Sequence, residues 1–223
     1  AARIVAVSES TKRDLMDLYE VPENKIKVIY PGVKPPLNLP LSPSGSGQGE
    51  KNYFLYFGTF EPRKNLDAVL AAYDEYRNQS KDPKALLLAG STGWKVNLPG
   101  GISVRRNVSE EEKDRLYQNA FALLFPSFYE GFGFPVIEAA AAGVPVVASF
   151  AASLSEIGGE FALLVNPYRP VEAAGAMLEL ERDQGLHSRL ADLGRQSAAR
   201  FLWDRSARSV LNLFNEVKHA YRN

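Results

Sequence analysis

Phe125-Pro-Ser-Phe-Tyr-Glu130-Gly-Phe-Gly-Phe-Pro135-Val-Ile-Glu138-Ala-Ala-Ala-Ala-Gly143-Val-Pro145-Val-Val-Ala148 decides how this chain is read. An apolar strand end enters a glycine-rich turn, which feeds a helix opening on Pro135 and built of small residues up to Gly143. Proline suits the first helical position, where its missing N–H would have no intrahelical partner anyway. A helix start offers unpaired N–H groups and a positive dipole end, and both attract an anion. Two carboxylates flank that point, Glu130 on the loop before it and Glu138 one turn inside the helix. A loop built only for packing has no need of two acids here. The stretch reads as a site for a phosphorylated, polyhydroxylated ligand.

Outward from this stretch, strands and helices alternate from residue 52 onward. Strands are expected at 53–57, 85–89, 102–105, 122–125, 144–148 and 162–165, and helices at 66–78, 110–119, 135–142, 171–181, 184–200 and 204–220. Short, continuously apolar strands alternating with helices predict an α/β fold, a parallel sheet with helices on both faces. Such sheets bind ligands outside the carboxyl ends of their strands. Gly58, Gly90, Asn107, Ser127 and Ser149 follow strands, so one cleft can collect their loops. Ahead of these, residues 3–7 and 25–30 read as strands around a helix that starts in Ser8-Glu-Ser-Thr11 and runs to Tyr19. Residues 34–51 are rich in Pro, Gly and Ser and are expected to form a flexible, exposed linker.

At 223 residues the chain has room for one large domain, or for one domain with an appendage. Its 26 basic and 26 acidic residues balance, which argues against a nucleic-acid partner. Cysteine is absent, removing disulfides, thiolate zinc sites and thiol nucleophiles, and fitting a reducing compartment. His187 and His219 lie far apart, so no histidine metal centre is expected. No run has the length of a membrane span. The chain starts at Ala1 directly in a strand pattern, which reads as a trimmed piece of something longer.

Arg63 and Lys64 follow Gly58 and Pro62 in a loop after a strand. Cations at a helix start oppose its dipole, a conflict that solvent screens or a bound anion removes. Glu138 is flanked by apolar and small residues, as in a buried helix. It is either a dipole-complementing surface acid or a buried carboxylate needing donors, such as a ribose diol. Gly131 and Gly133 permit positive φ and close backbone approach. The amides of Phe134, Val136 and Ile137 are the expected phosphate donors. Neither a dinucleotide fingerprint nor a Walker loop is present. Arg106-Asn107-Val108 reads equally as a base-holding turn and as an ordinary turn, with Ser109 as N-cap and Glu112 completing a capping box. The aromatics of residues 53–60 and the last helix, with Val210, Leu213, Phe214 and Val217, read as packing.

The quoted stretch resembles the Glu-x7-Glu signature of the retaining, nucleotide-sugar-dependent glycosyltransferases of family 4, which have the GT-B fold. Phe54-Leu-Tyr-Phe-Gly58-Thr-Phe-Glu-Pro-Arg63-Lys64-Asn65-Leu is similar to their basic phosphate loop, and Val108 to Tyr117 with Ala120 to Ser127 to their lead into the signature. Ala162-Leu-Leu-Val-Asn-Pro167 and Phe201-Leu-Trp203-Asp resemble their closing segments. The resemblance implies the C-terminal, Rossmann-like half of a GT-B fold. Residues 1–33 would end the acceptor domain, 52–205 would bind the donor, and helix 206–223 would pack back on the partner domain. It further implies that Lys64 and Arg63 stabilise the departing diphosphate and that Glu138 holds the ribose. Glu130 would act at the sugar, by hydrogen bonding or by stabilising an oxocarbenium-like transition state. Gly58, Thr59, Asn107, Val108, Gly131, Phe132, Gly133, Phe134 and Val136 would complete the donor site. Thr59 stands where many members carry Arg, a departure that leaves fewer cations. Relatives sharing Gly-Thr-x-Glu-Pro-Arg-Lys-Asn often transfer mannose, which points to GDP-mannose or a related hexose donor. The expected enzyme needs no metal or cofactor and transfers to a glycan, lipid or small-molecule acceptor held by the N-terminal domain. It would be cytoplasmic, with peripheral attachment to the inner face of a membrane compatible with it. A non-catalytic binding or scaffold module of the same fold is the alternative, and a GT-B epimerase or phosphorylase a third reading.

Overall fold

Tyr53-Phe-Leu-Tyr-Phe57 (β3) is apolar at every position, and successive side chains of a strand point to opposite faces. Phe54 and Tyr56 join Leu86, Leu88 and Leu124 in one buried cluster, whereas Leu55 joins Leu87, Leu123 and Phe125 in another. The sheet is thus buried on both sides. This computed structural model describes residues 2–34, 53–91, 93, 98–99 and 102–220, so the expected linker at 34–51 lies, apart from Lys34, outside the described residues.

Chain order is β1 (Ile4–Ala6), α1 (Glu9–Tyr19), β2 (Ile26–Val28), β3, α2 (Leu66–Gln79), β4 (Ala85–Gly90), β5 (Ser103–Arg106), α3 (Glu110–Asn119) and β6 (Ala120–Phe125). There follow α4 (Phe134–Ala141), β7 (Val146–Ser149), α5 (Ser153–Gly158), β8 (Ala162–Val165), α6 (Pro170–Arg182), α7 (Gln184–Ala198) and α8 (Trp203–Ala220). Six strands form one parallel sheet in the order β5-β4-β3-β6-β7-β8. The order reverses between β3 and β6, and an α/β sheet opens a crevice where its strand order reverses. The loops leaving those two strands carry Arg63 with Lys64 and Glu130. Topology alone therefore brings the expected cations and acid to one place.

β1 and β2 form a separate two-stranded parallel sheet. α1, beside it, starts on Ser8, whose hydroxyl accepts from the Thr11 amide at 3.0 Å. The Glu156 carboxylate of α5 accepts from the amides of Glu9 (3.0 Å) and Ser10 (3.1 Å) and from the Tyr30 hydroxyl (2.6 Å). An acid at a helix N-terminus satisfies orphan donors and the dipole together. Val33 donates to the Phe201 carbonyl at 2.9 Å, and the Ser206 hydroxyl of α8 donates to Tyr30 O. These contacts hold the first and last segments of the chain together.

The strand at 25–30 is shorter than expected, preceded by a single 3-10 turn, Glu23–Lys25. β7 starts at Val146 because Pro145 has no N–H; its carbonyl still accepts from Leu123 at 2.9 Å. Just past the carboxyl end of β3, the backbone at Gly58 runs close against Gly90 of β4. A Cβ on Gly90, whose φ is +141°, would lie 2.0 Å from the Gly58 carbonyl oxygen. Gly90→Ala is expected to destabilise the fold by roughly 2–4 kcal/mol, read from the urea midpoint. Glu156→Ala should cost about 1–3 kcal/mol and speed hydrogen exchange at the Glu9 and Ser10 amides, since it leaves their donors unpaired.

Candidate functional site: the crevice between the third and sixth strands

After β3 the chain makes a 3-10 turn, Pro62–Lys64, and Asn65 follows in the left-handed region at φ 56°. Pro62 starts the turn, and Asn tolerates the left-handed conformation better than most residues. The Asn65 side chain is buried and donates to the carbonyls of Pro126 (2.9 Å) and Pro167 (2.7 Å), tying together the loops after β3, β6 and β8. The Phe128 amide donates to the Arg63 carbonyl at 2.9 Å.

The tie brings Lys64 and Arg63 onto Glu130. Lys64 Nζ is 2.6 Å from Glu130 Oε1, and Arg63 Nη1 is 3.1 Å from Oε2. Both Lys64 and Glu130 are largely buried, with side chains 12% and 8% exposed. Lys64 Nζ also stands 4.9 Å from the centre of the Phe125 ring. A carboxylate this buried requires such pairing. Arg63 is the more exposed cation, and its Nη2 reaches Glu61 at 2.6 Å. Partial burial pulls the Arg63 pKa down, but Glu130 and Glu61 outweigh it and raise the value.

The loop bearing Glu130 is fixed one carbonyl at a time. Tyr129 O accepts from Arg63 Nη1 (2.7 Å) and Glu130 O from the Ser153 hydroxyl (2.8 Å). Gly131 O accepts from the hydroxyls of Ser8 (2.7 Å) and Thr11 (3.2 Å), so α1 reaches across to the same loop. Tyr129 further donates its hydroxyl to Asp14 of α1, and that bond, with burial, pushes its pKa up to about 12. Ser153 is delivered by Ala152, a non-glycine residue at φ 49° and ψ −127°. That backbone region is costly for an L side chain, so the surroundings must impose it.

Glu138 belongs to a second cluster. Its Oε1 accepts from Lys113 Nζ and its Oε2 from the Tyr117 hydroxyl, each at 3.0 Å. Its flanking residues on α4 are buried, as their apolar character predicts. Gly133 is the N-cap of α4 at φ 95°, and a Cβ there would meet Leu154 at 2.6 Å. Two expectations on this turn are corrected. The Val136 amide is no free phosphate donor, because it closes the first turn on the Gly133 carbonyl at 3.0 Å. Phe132 is 4% exposed and packs its ring against Tyr30, Phe134 and Phe201, which makes it core. Phe134 itself is half-exposed.

Thr59 shares a hydrogen bond of 3.2 Å with the Ser91 hydroxyl, and Gly58 adjoins the Lys64 side chain. Asn107 takes a left-handed φ of 54° after β5, Val108 packs against the cluster containing Tyr117, and Ser109 caps α3 through the Glu112 amide. The expected N-cap role of Ser109 is thus present, and no Glu112 side-chain bond closing a capping box accompanies it among the described residues. A cavity of about 420 Å³ between Tyr30, Glu156, Arg200 and Arg205 contains none of the expected site residues.

Sequence reasoning missed Ser8, Thr11, Asp14, Lys113, Tyr117, Ser153 and Glu156. Lys113 and Tyr117 did carry a signal, lying four apart on one face of α3. Ser153 and Glu156 sit on a six-residue helix, too short to display a period.

Comparison with known proteins identifies the family and the fold. The family model for glycosyl transferases group 1 matches residues 42–197, and that for glycosyltransferase family 4 matches residues 1–35. The chain is similar to O-antigen chain mannosyltransferase B of Escherichia coli, at 30% identity over 96% of this chain and 60% of the relative. It is also similar to D-inositol 3-phosphate glycosyltransferase of Salinispora arenicola, at 26% identity over 99% of this chain and 56% of the relative. Among solved structures, sucrose-phosphate synthase from Thermosynechococcus elongatus superposes with a TM-score of 0.81 at 24% identity, covering 99% of this chain and 59% of that one. Anabaena HepE in complex with UDP and glucose gives 0.80 at 17% identity, covering 96% and 63%. These likenesses show the fold as the C-terminal half of the GT-B arrangement, and the chain spans about 60% of the length of such relatives. With the group 1 model matched over more than half of its length, this chain belongs to the family of glycosyl transferases group 1.

Proposed function

We propose that the chain is the donor-binding part of a retaining glycosyltransferase that takes a hexose from a nucleoside diphosphate, GDP-mannose or a related donor. The observation carrying this reading is the convergence of Lys64, Arg63 and Glu130 in the crevice where the sheet reverses its strand order. A nucleoside diphosphate gains charge as its bond to the anomeric carbon breaks. Cations aimed at it are therefore worth most in the transition state. Lys64 and Arg63 supply those cations. In this reading Glu130, paired with both cations, would face the sugar and favour positive charge at the anomeric carbon.

In the reaction, the bond from the anomeric carbon to the diphosphate oxygen breaks and a bond to the acceptor oxygen forms on the same face. The acceptor hydroxyl proton passes to the leaving diphosphate oxygen. The proposed reaction uses Lys64 and Arg63 at the leaving group and no metal or cofactor. Phe134 and the glycines beside it would line the phosphate turn, with Gly58 and Thr59 opposite. Asn107 and Val108 would approach the base, and Glu138 the ribose.

The mannosyl assignment is supported by the Gly58-to-Asn65 stretch and by the mannosyltransferase relative. That relative's name also supports a polysaccharide acceptor. We place acceptor binding in a further domain, with residues 1–33 as its edge and 52–205 as the donor unit. No described helix is long and apolar enough to cross a membrane, and peripheral attachment at the cytoplasmic face belongs to the same proposal.

Calorimetric titration of the chain with GDP, UDP and ADP tests the reading. Binding of at least one is expected, and no binding at millimolar concentration would favour a scaffold module instead. In a transfer-competent protein containing this chain, Lys64→Ala should lower turnover by roughly two to three orders of magnitude. Activity within a fewfold of the parent would refute the role of Lys64.

A further inference from the structure

A glutamate side chain has three torsions and by itself holds its carboxylate plane loosely. Glu138 is an exception, because each of its oxygens meets one donor, and both donors come from the same face of α3. The two donors are themselves anchored. Lys113 Nζ is held by Glu110 at 3.0 Å, while Tyr117 is 2% exposed and has its ring against Phe57 at 5.4 Å. α3 in turn begins at the Ser109 cap, directly after the Asn107-Val108 turn. One short helix thus fixes both the carboxylate and the turn beside it.

We propose that Lys113 and Tyr117 are positioning residues that orient the Glu138 carboxylate to receive the two hydroxyls of a nucleoside ribose. This rests on the reading that Glu138 is the ribose ligand. An ionised carboxylate accepts about four hydrogen bonds, and these two donors leave capacity on each oxygen for one hydroxyl of a vicinal diol. Lys113 also offsets part of the negative charge of Glu138, which lessens its repulsion of a diphosphate. Both donors hold their protons well beyond neutral pH. Burial, together with Glu138 and Asp114, pushes the Tyr117 phenol far up, and on Lys113 the acids Glu110 and Glu138 outweigh the lowering effect of burial. A raised lysine contributes fully below its reference value of 10.5 and loses its contribution only as the pH climbs through the folded value.

The test compares the best-bound of GDP, UDP and ADP with its 2′,3′-dideoxy counterpart, titrated into the full chain and into the variants Tyr117→Phe and Lys113→Met. Tyr117→Phe keeps the ring that packs on Phe57, and the ratio of the two affinities cancels any general change in charge or folding. The parent chain should prefer the ribonucleotide by roughly tenfold or more, and each variant should cut that preference by about threefold to tenfold while leaving dideoxy binding by Tyr117→Phe within about twofold. An unchanged ratio in both variants overturns the proposal, as does an equal loss for both nucleotides. A parent chain that binds both nucleotides equally removes Glu138 from the ribose, and the proposal with it. Absence of all binding instead defeats the nucleotide-sugar reading.

Discussion

A buried carboxylate shared between two cations organises this molecule. Removing one partner from a buried ion pair costs roughly 3–5 kcal/mol, because the remaining charge has neither water nor a counter-ion. Glu130, Lys64 and Arg63 therefore belong together, and the chain must deliver them from loops 66 residues apart at the Lys64–Glu130 bond. The reversal of strand order between β3 and β6 does this with no long excursion of the backbone. Continuous burial of β6 and burial of Phe54, Leu55 and Tyr56 in β3 then hold the two loop origins in place.

Rigidity at the strands does not by itself fix a glycine-containing loop. Here side chains from three segments hold successive carbonyls, Arg63 from one loop, Ser153 from α5, and Ser8 with Thr11 from α1. Each bond is worth about 1 kcal/mol net, but together they leave the Glu130 backbone little freedom. Glu138 is held differently, through its carboxylate oxygens. The two acids thus depend on separate supports, one chiefly the backbone of a loop and the other a neighbouring helix.

Much of this was legible in the sequence, for identifiable reasons. β3 and β8 fall at their expected limits because an unbroken apolar run between turn residues has a single reading, and α3 does because Ser109 marks its start. The parallel sheet followed from alternation. A resemblance placed Arg63, Lys64 and Glu130 around one donor, and the strand order explains how they come together, whereas their direct ion pairing was not foreseen. What stayed hidden needed three dimensions. Nothing in Gly131-Phe-Gly-Phe shows that Phe132 points inward or that the Val136 amide is used locally. α5 has too few residues for a period, and the reach of Ser8 to Gly131 spans 123 positions. β6 began earlier than its pattern suggested because Ala120 both ends α3 and opens the strand, with no connecting residue between them.

The contact of α1 with the Gly131 carbonyl bears on how such enzymes exchange parts. The obvious place to recombine two glycosyltransferases is the Pro-, Gly- and Ser-rich stretch after Lys34, where composition changes. A hybrid joined there would inherit its Ser8, Thr11 and Asp14 equivalents from one parent and its Tyr129 and Gly131 equivalents from the other. Because α1 is tied to the Gly131 loop and β1 to β2, a hybrid joined after Lys34 keeps these contacts only if both parents supply matching residues on each side.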